Sequence, residues 1–202
     1  MVETDKKREL IIEGAIKRFI HFGINKTTMN EIADDLSVSK PSLYYYFPDK
    51  SSLILGVVDK IFKDYFEALS KVYHRDAALE ETLVNFINTG HHYFQRYYML
   101  HLSGGSPDSS LNSPELREHI VAMKGKSLEF HGQIFQNAID KGEIKAIDVP
   151  KVTELYLASQ SGITSLCIMH GNKELFPNKK DLKDMLDKQI ALSGIFINGL
   201  KK

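Results

Sequence analysis

Apolar positions recur every three or four residues along almost the whole chain, a spacing that predicts helices throughout. Ile12, Ala15, Ile16 and Phe19 define one face of a helix over 5–22, with Glu13, Lys17 and Arg18 outward. Gly23 is its expected C-cap, with apolar Ile24 behind it. Over 49–73, Leu53, Val57, Ile61, Tyr65 and Leu69 form one ridge, and Ile54, Val58, Phe62 and Phe66 a second. So broad an apolar arc needs cover on more than one side. Leu79, Leu83, Phe86, Ile87, Phe94 and Tyr97 mark a helix over 77–99 that carries Gly90 in its middle. Small, turn-forming residues crowd into 103–114, predicting a loop. Helical spacing returns between Pro114 and Gly142, where Gly125 and Gly132 are expected to break or bend the helix. Two last helices are expected over 149–170 and 179–200, with Gly171 capping the first and Phe176-Pro177-Asn178 turning into the second. Strand-like alternation of useful length is missing, so the expected class is all-α.

One stretch is read more closely than helix spacing alone allows. In 27–50 (TTMNEIADDLSVSKPSLYYYFPDK), Thr28 is placed to cap a helix, and Glu31, three residues on, completes a capping box. Ile32, Ala33 and Leu36 give that helix one apolar face, with Ala33 small enough for a crossing helix. Ser37-Val38-Ser39 is the turn, with Val38 plugging the angle. Ser39 caps a second helix, and Pro41 sits in its first turn, where a missing N–H costs little. Leu43 and Phe47 point inward, which leaves Lys40, Ser42, Tyr44 and Tyr45 outward. Pro48 stops the helix and Asp49 caps the next. This is a helix-turn-helix, a motif whose second helix enters the major groove with its N-terminal residues at base edges.

Residues 5–55, and Leu43-Tyr44-Tyr45-Tyr46-Phe47-Pro48-Asp49-Lys50 above all, resemble the DNA-binding domain of the TetR family of bacterial transcription regulators. One departure is Ser37, where the family usually has glycine; that position is expected to need positive φ. The resemblance implies a three-helix DNA-binding head (1–50), joined by a long helix to a helical effector-binding and dimerisation body (51–202). By the same resemblance, Thr28, Asn30, Lys40, Pro41, Ser42, Tyr44, Tyr45 and Lys50 align with DNA-contact positions. Lys40 can donate to guanine, and Tyr45 can pack on a thymine methyl or a sugar. Thr28, Tyr44 and Lys50 suit phosphates, which set register without reading sequence. Tyr46 is expected to pack the head instead.

Charge modifies this picture. The chain carries 26 basic and 26 acidic side chains, and residues 1–50 balance at eight each. A strongly basic footprint is therefore missing, and affinity is expected to be modest and salt-sensitive. The final two helices, rich in small residues (Ala158, Ser159, Ser161, Gly162, Ser165), are the expected homodimer surface. The resemblance also implies a small apolar or amphipathic effector. Tyr65, Phe66, Phe86, Tyr93, Phe94, Tyr97, Phe130, Ile134, Tyr156 and Gln160 fall on helices expected to surround the body's centre. Aromatic residues at helical spacing describe a plain packed core equally well.

Other chemistries find little footing. Eight histidines show no metal-ligand spacing, although His91 or His131 can offer a ligand a hydrogen bond. Phosphate-loop, nucleophile-elbow and zincin motifs are missing, and no cofactor is expected. The lone Cys167, the charged N-terminus and the lack of a membrane-length apolar run suit a cytoplasmic protein, the missing motifs give no support to an enzyme, and the resemblance implies a bacterial source. The expected mode is repression of a palindromic operator, relieved by the effector. The alternatives are a co-repressed regulator, an activator, or an interaction protein that has lost specific DNA binding.

Overall fold

A computed structural model describes residues 2–101, 113–170 and 178–201. Eight helices make up the described fold, with no strand among these residues: α1 (Val2–Phe22), α2 (Met29–Asp35), α3 (Lys40–Tyr46), α4 (Lys50–Val72), α5 (Leu79–His101), α6 (Pro114–Asp140), α7 (Val149–His170) and α8 (Lys179–Leu200). The chain is all-α, and the elements follow the hydrophobic spacing. Residues 103–112, expected as a loop, and the expected cap and turn at Gly171 and Phe176-Pro177 lie outside the described residues.

Two compact units are formed, one within Met1–Asp64 and Arg96–Val121, the other within Tyr65–Gln95 and Ala122–Lys202. In the first, Ile11, Ile12, Ala15 and Phe19 of α1, Ile32 and Ala33 of α2, Leu43 of α3 and Leu53, Ile54 and Val57 of α4 bury one another. Leu116, from the first turn of α6, completes this core. Ser113 Oγ accepts the Leu116 N–H at 3.1 Å and so caps that turn. In the second unit, Leu69, Leu79, Leu83, Phe86, Ile134, Phe135, Ala138, Tyr156 and Ile197 share a core. Glu143 reaches back to accept the Leu79 N–H at 2.6 Å and also pairs with Lys141 at 2.6 Å. A carboxylate there satisfies an orphan donor at the start of α5. Burial, the largest single influence, raises the Glu143 carboxyl, but the Leu79 N–H and the Lys141 ammonium together outweigh it and hold the group below its ordinary range.

One expectation is corrected. Gly125 and Gly132 do not interrupt α6, which runs unbroken from Pro114 to Asp140. Neither glycine has positive φ, and a single helical glycine costs only about 1 kcal/mol, which flanking packing offsets. In α5 the backbone leaves helical geometry at Tyr97 (φ −112°, ψ 19°).

Candidate nucleic-acid interface

The head's geometry follows from its caps. Thr28 is extended (φ −109°, ψ 156°), and its hydroxyl oxygen accepts the Glu31 N–H at 3.3 Å. Glu31 Oε2 accepts the Thr28 N–H at 2.8 Å and the Thr28 hydroxyl at 2.9 Å. The capping box is therefore complete. These hydrogen bonds, the backbone one first, hold the Glu31 carboxyl below its ordinary range. Ser37 takes φ 53°, as the turn demands, with its N–H on the Asp34 carbonyl at 3.1 Å. Ser39 Oγ accepts the Ser42 N–H at 3.3 Å to start α3. Asp49 caps α4 by accepting the Ser52 N–H at 2.7 Å.

These caps fix the faces of α3. Leu43 is fully buried, whereas Tyr45 is 76% and Tyr44 44% exposed, and Lys40 and Pro41 are exposed beside them. Ser42 and Lys50 are half-buried, and Thr28 and Asn30 are exposed. Tyr46 packs against the head core and makes an edge contact with Tyr45 at 5.1 Å. The outward side of α3 thus gathers a cation, hydroxyls and two aromatic rings, a set suited to base edges and sugar-phosphate. Thr28 departs in one respect from a simple phosphate donor. Both its N–H and its O–H are given to Glu31, so either can reach a phosphate only by leaving that carboxylate.

Arg18, expected on the outer face of α1, lies instead across α2. Its Nη2 meets Glu31 Oε1 at 2.9 Å and its Nη1 meets Asp35 Oδ2 at 2.6 Å, with the guanidinium 4.8 Å from the Phe22 ring centroid. Arg8 stacks over Phe47, the C-cap residue of α3, at 5.1 Å. Sequence spacing marked Arg18 only as an outward polar position of α1 and did not single out Arg8.

Comparison with known proteins agrees with this geometry. Residues 11–57 match the model for bacterial regulatory proteins of the tetR family. The crystal structure of a transcriptional regulator from Cytophaga hutchinsonii superposes with a TM-score of 0.83 at 28% identity, over 97% of this chain and 99% of that one. The helix-turn-helix head, residues 11–57, belongs to the TetR family. Among curated TetR-like relatives, RutR of Escherichia coli K12 is 31% identical over 107 residues, half of each protein. YuxN of Bacillus subtilis, an uncharacterized HTH-type transcriptional regulator, is 36% identical over 67 residues, 33% of this chain and 23% of that protein. The chain thus spans between about a quarter and a half of the length of these two relatives.

The remaining candidates are the residues expected around the centre of the body, and the structure separates them. Tyr65, Phe66, Phe86, Tyr93 and Phe130 form one continuous ring network. Tyr65 meets Phe66 at 5.8 Å and Tyr93 at 5.2 Å, Phe66 meets Phe130 at 6.2 Å, and Phe86 stacks on Phe130 at 5.6 Å. His131 sits edge-on to Phe86 at 5.5 Å, and its Nδ1–H donates to the Ser127 carbonyl at 2.8 Å. Burial holds its imidazole below the ordinary histidine range, and burial likewise pushes the Tyr65 phenol up to about 12. Ile134 lies in the body core, and Phe94 is buried. Tyr156 belongs to a second ring group with Phe135 and Phe196, and its hydroxyl meets Ser193 Oγ at 3.2 Å. Gln160 Nε2 donates to the Gln189 carbonyl at 3.2 Å, tying α7 to α8. Tyr97, by contrast, falls in the other compact unit.

Proposed function

We propose that the protein is a cytoplasmic, homodimeric transcriptional regulator, not an enzyme, which binds a palindromic operator through residues 27–50 and is released from it by a small-molecule effector. The DNA-binding part rests above all on α3. Lys40, Pro41, Ser42, Tyr44 and Tyr45 stand on one open side of a helix whose other side is locked into the head core. Lys40 and Tyr45 are the base-reading pair, Pro41 presets the helix start, and Tyr44 and Lys50 hold phosphates. Asn30, at the first turn of α2, lies within reach of either, and Thr28 takes a phosphate in exchange for part of its bond to Glu31.

The dimer reading is supported by α7 and α8. Leu155, Ala158, Gly162, Ser165 and Met169 are spaced 3, 4, 3 and 4 apart, a coiled-coil seam, and all five are exposed. Leu166 beside them is exposed, as is Ile195 of α8, and a Cβ at Gly162, Gly194 or Gly199 would meet nothing within 4 Å among the described residues outside its own helix backbone. A second copy on this seam brings two heads to one DNA face.

The effector reading draws on the ring network from Tyr65 to Phe130 with the polar edges of His131 and Tyr93, while Tyr156 and Gln160 of α7 bond to α8. Such a lining suits a small apolar or amphipathic molecule. Release requires that the effector bind the DNA-incompetent form more tightly than the competent one. Repression is the sign favoured, since one relative of the head is named a probable acrEF/envCD operon repressor of Escherichia coli. Residues 1–50 would carry DNA recognition and 51–202 pairing and effector response.

Selection from random duplex DNA tests the reading. Enrichment of one inverted repeat with half-site centres about 34–36 Å apart is expected. Enrichment of nothing at low salt, with and without cell extract, would remove DNA recognition from the account.

A further inference from the structure

Helix α2 has seven residues, too few to hold its own geometry in water. Its apolar side, Met29, Ile32 and Ala33, is buried in the head core. On its polar side, Arg18 of α1 holds it. Glu31 and Asp35 lie four apart, and therefore on one face, one in each turn of α2. Arg18 takes both at once, Nη2 to Glu31 and Nη1 to Asp35. Only 14% of its side chain is exposed, against 41% for Glu31 and 50% for Asp35. The arginine is thus seated in the head, and the carboxylates close over it from outside.

The bond network continues to the DNA-facing end. Arg18 engages Glu31 Oε1, which leaves Oε2 for the Thr28 N–H and hydroxyl. One guanidinium therefore fixes both turns of α2 on α1 and, through Glu31, the cap that presents Thr28 and Asn30. A planar fork with fixed donors can do this, whereas an ammonium on a flexible stem is a single point charge and holds one carboxylate well. The clamp also offsets two carboxylates in a head whose formal charge is zero.

We infer that Arg18 is a positioning residue for DNA binding, acting through Glu31 and Asp35 to set α2 rather than by touching DNA. The inference rests on the DNA-binding reading above for its effect on the operator, while its effect on α2 stands without DNA. Three properties follow. Loss of the clamp weakens the phosphate contacts of α2, so affinity falls about equally for all sequences. The salt slope drops, since fewer phosphates are neutralised. The preferred operator sequence stays the same, because α3 is held separately by Leu43 and Phe47 in the core.

The test uses the full chain with Arg18→Gln, Arg18→Lys and the triple variant Arg18→Gln/Glu31→Gln/Asp35→Asn. Backbone hydrogen exchange without DNA is expected to speed up at Thr28–Leu36 in Arg18→Gln while Leu43 and Phe47 stay at wild-type rates. On the selected operator, Arg18→Gln should bind roughly tenfold more weakly, with the salt slope lower by about one and the selected sequence unchanged. Arg18→Lys should recover only part of the loss. The triple variant should stay weak, because neutralising the carboxylates does not restore the clamp. Wild-type affinity in the triple variant would show that Arg18 acts as charge compensation alone and would overturn the inference. Uniformly faster exchange across the head would overturn it as well, showing a general stability role. If wild type selects no operator, the DNA-binding reading fails. The exchange pattern in Arg18→Gln and Arg18→Lys then still decides whether α2 depends on this clamp.

Discussion

Ser37 sits at φ 53°, a region that costs a residue bearing a Cβ roughly 1 kcal/mol or more. Its N–H and that of Val38 are both engaged by α2 carbonyls, so the turn has no freedom to relax the angle. Ser37→Gly is therefore expected to raise stability by about 0.5–1 kcal/mol, less the entropy glycine loses on folding. Chemical denaturation checks this, and a lower midpoint would contradict it. The positive φ at Ser37 was legible through the family resemblance, and Thr28, Glu31, Ser39 and Asp49 were legible from the sequence itself, because a cap and its partner lie within three residues of each other. Arg18 was not. Its partners are 13 and 17 residues away on another helix, and spacing on α1 alone reports only a polar position among apolar ones. The body's aromatic residues resisted for a different reason. The same helical spacing serves a packed ring cluster and a cavity lining, and Phe86 stacked on Phe130 within the core is a contact that only tertiary structure reveals.

At the scale of elements, hydrophobic periodicity placed every described helix, since each one buries a face. What it missed were the interruptions. Gly125 suggested a break in α6, yet a Cβ built there meets nothing within 4 Å and the helix continues through it. Gly125→Ala should therefore stabilise the protein by up to about 1 kcal/mol, through helix propensity and a less flexible unfolded chain. A thermal melt reads this, and a fall in midpoint would mean that α6 needs a glycine there. Gly14 makes the opposite case, because a Cβ there would stand 2.7 Å from Leu36. Composition alone does not distinguish the two positions. The irregular residue of α5, Tyr97, has no glycine or proline beside it to announce the distortion.

For the whole molecule, the account depends on pairing and on DNA recognition together. The exposed seam of α7 would be solvated in a lone chain, with Met169 at 78% and Leu155 at 58% exposure its large apolar members and Leu166 at 54% beside them. Leu166→Glu/Met169→Glu is expected to shift sedimentation to the 23.0 kDa protomer while helical content is retained. Wild-type protein sedimenting as a protomer at the same concentration would remove this surface as the dimer contact. The central claim is that α3 reads DNA through Lys40 and Tyr45. Its most direct measurement is a salt titration of binding, by fluorescence anisotropy, on the selected inverted repeat and on a scrambled duplex of the same composition. Wild type should prefer the repeat, two protomers per site, with affinity falling linearly against log salt. Lys40→Ala/Tyr45→Ala should lose roughly a hundredfold on the repeat and bind both duplexes alike. Equal binding of the two duplexes by wild type, or a double variant that still discriminates between them, would contradict the account.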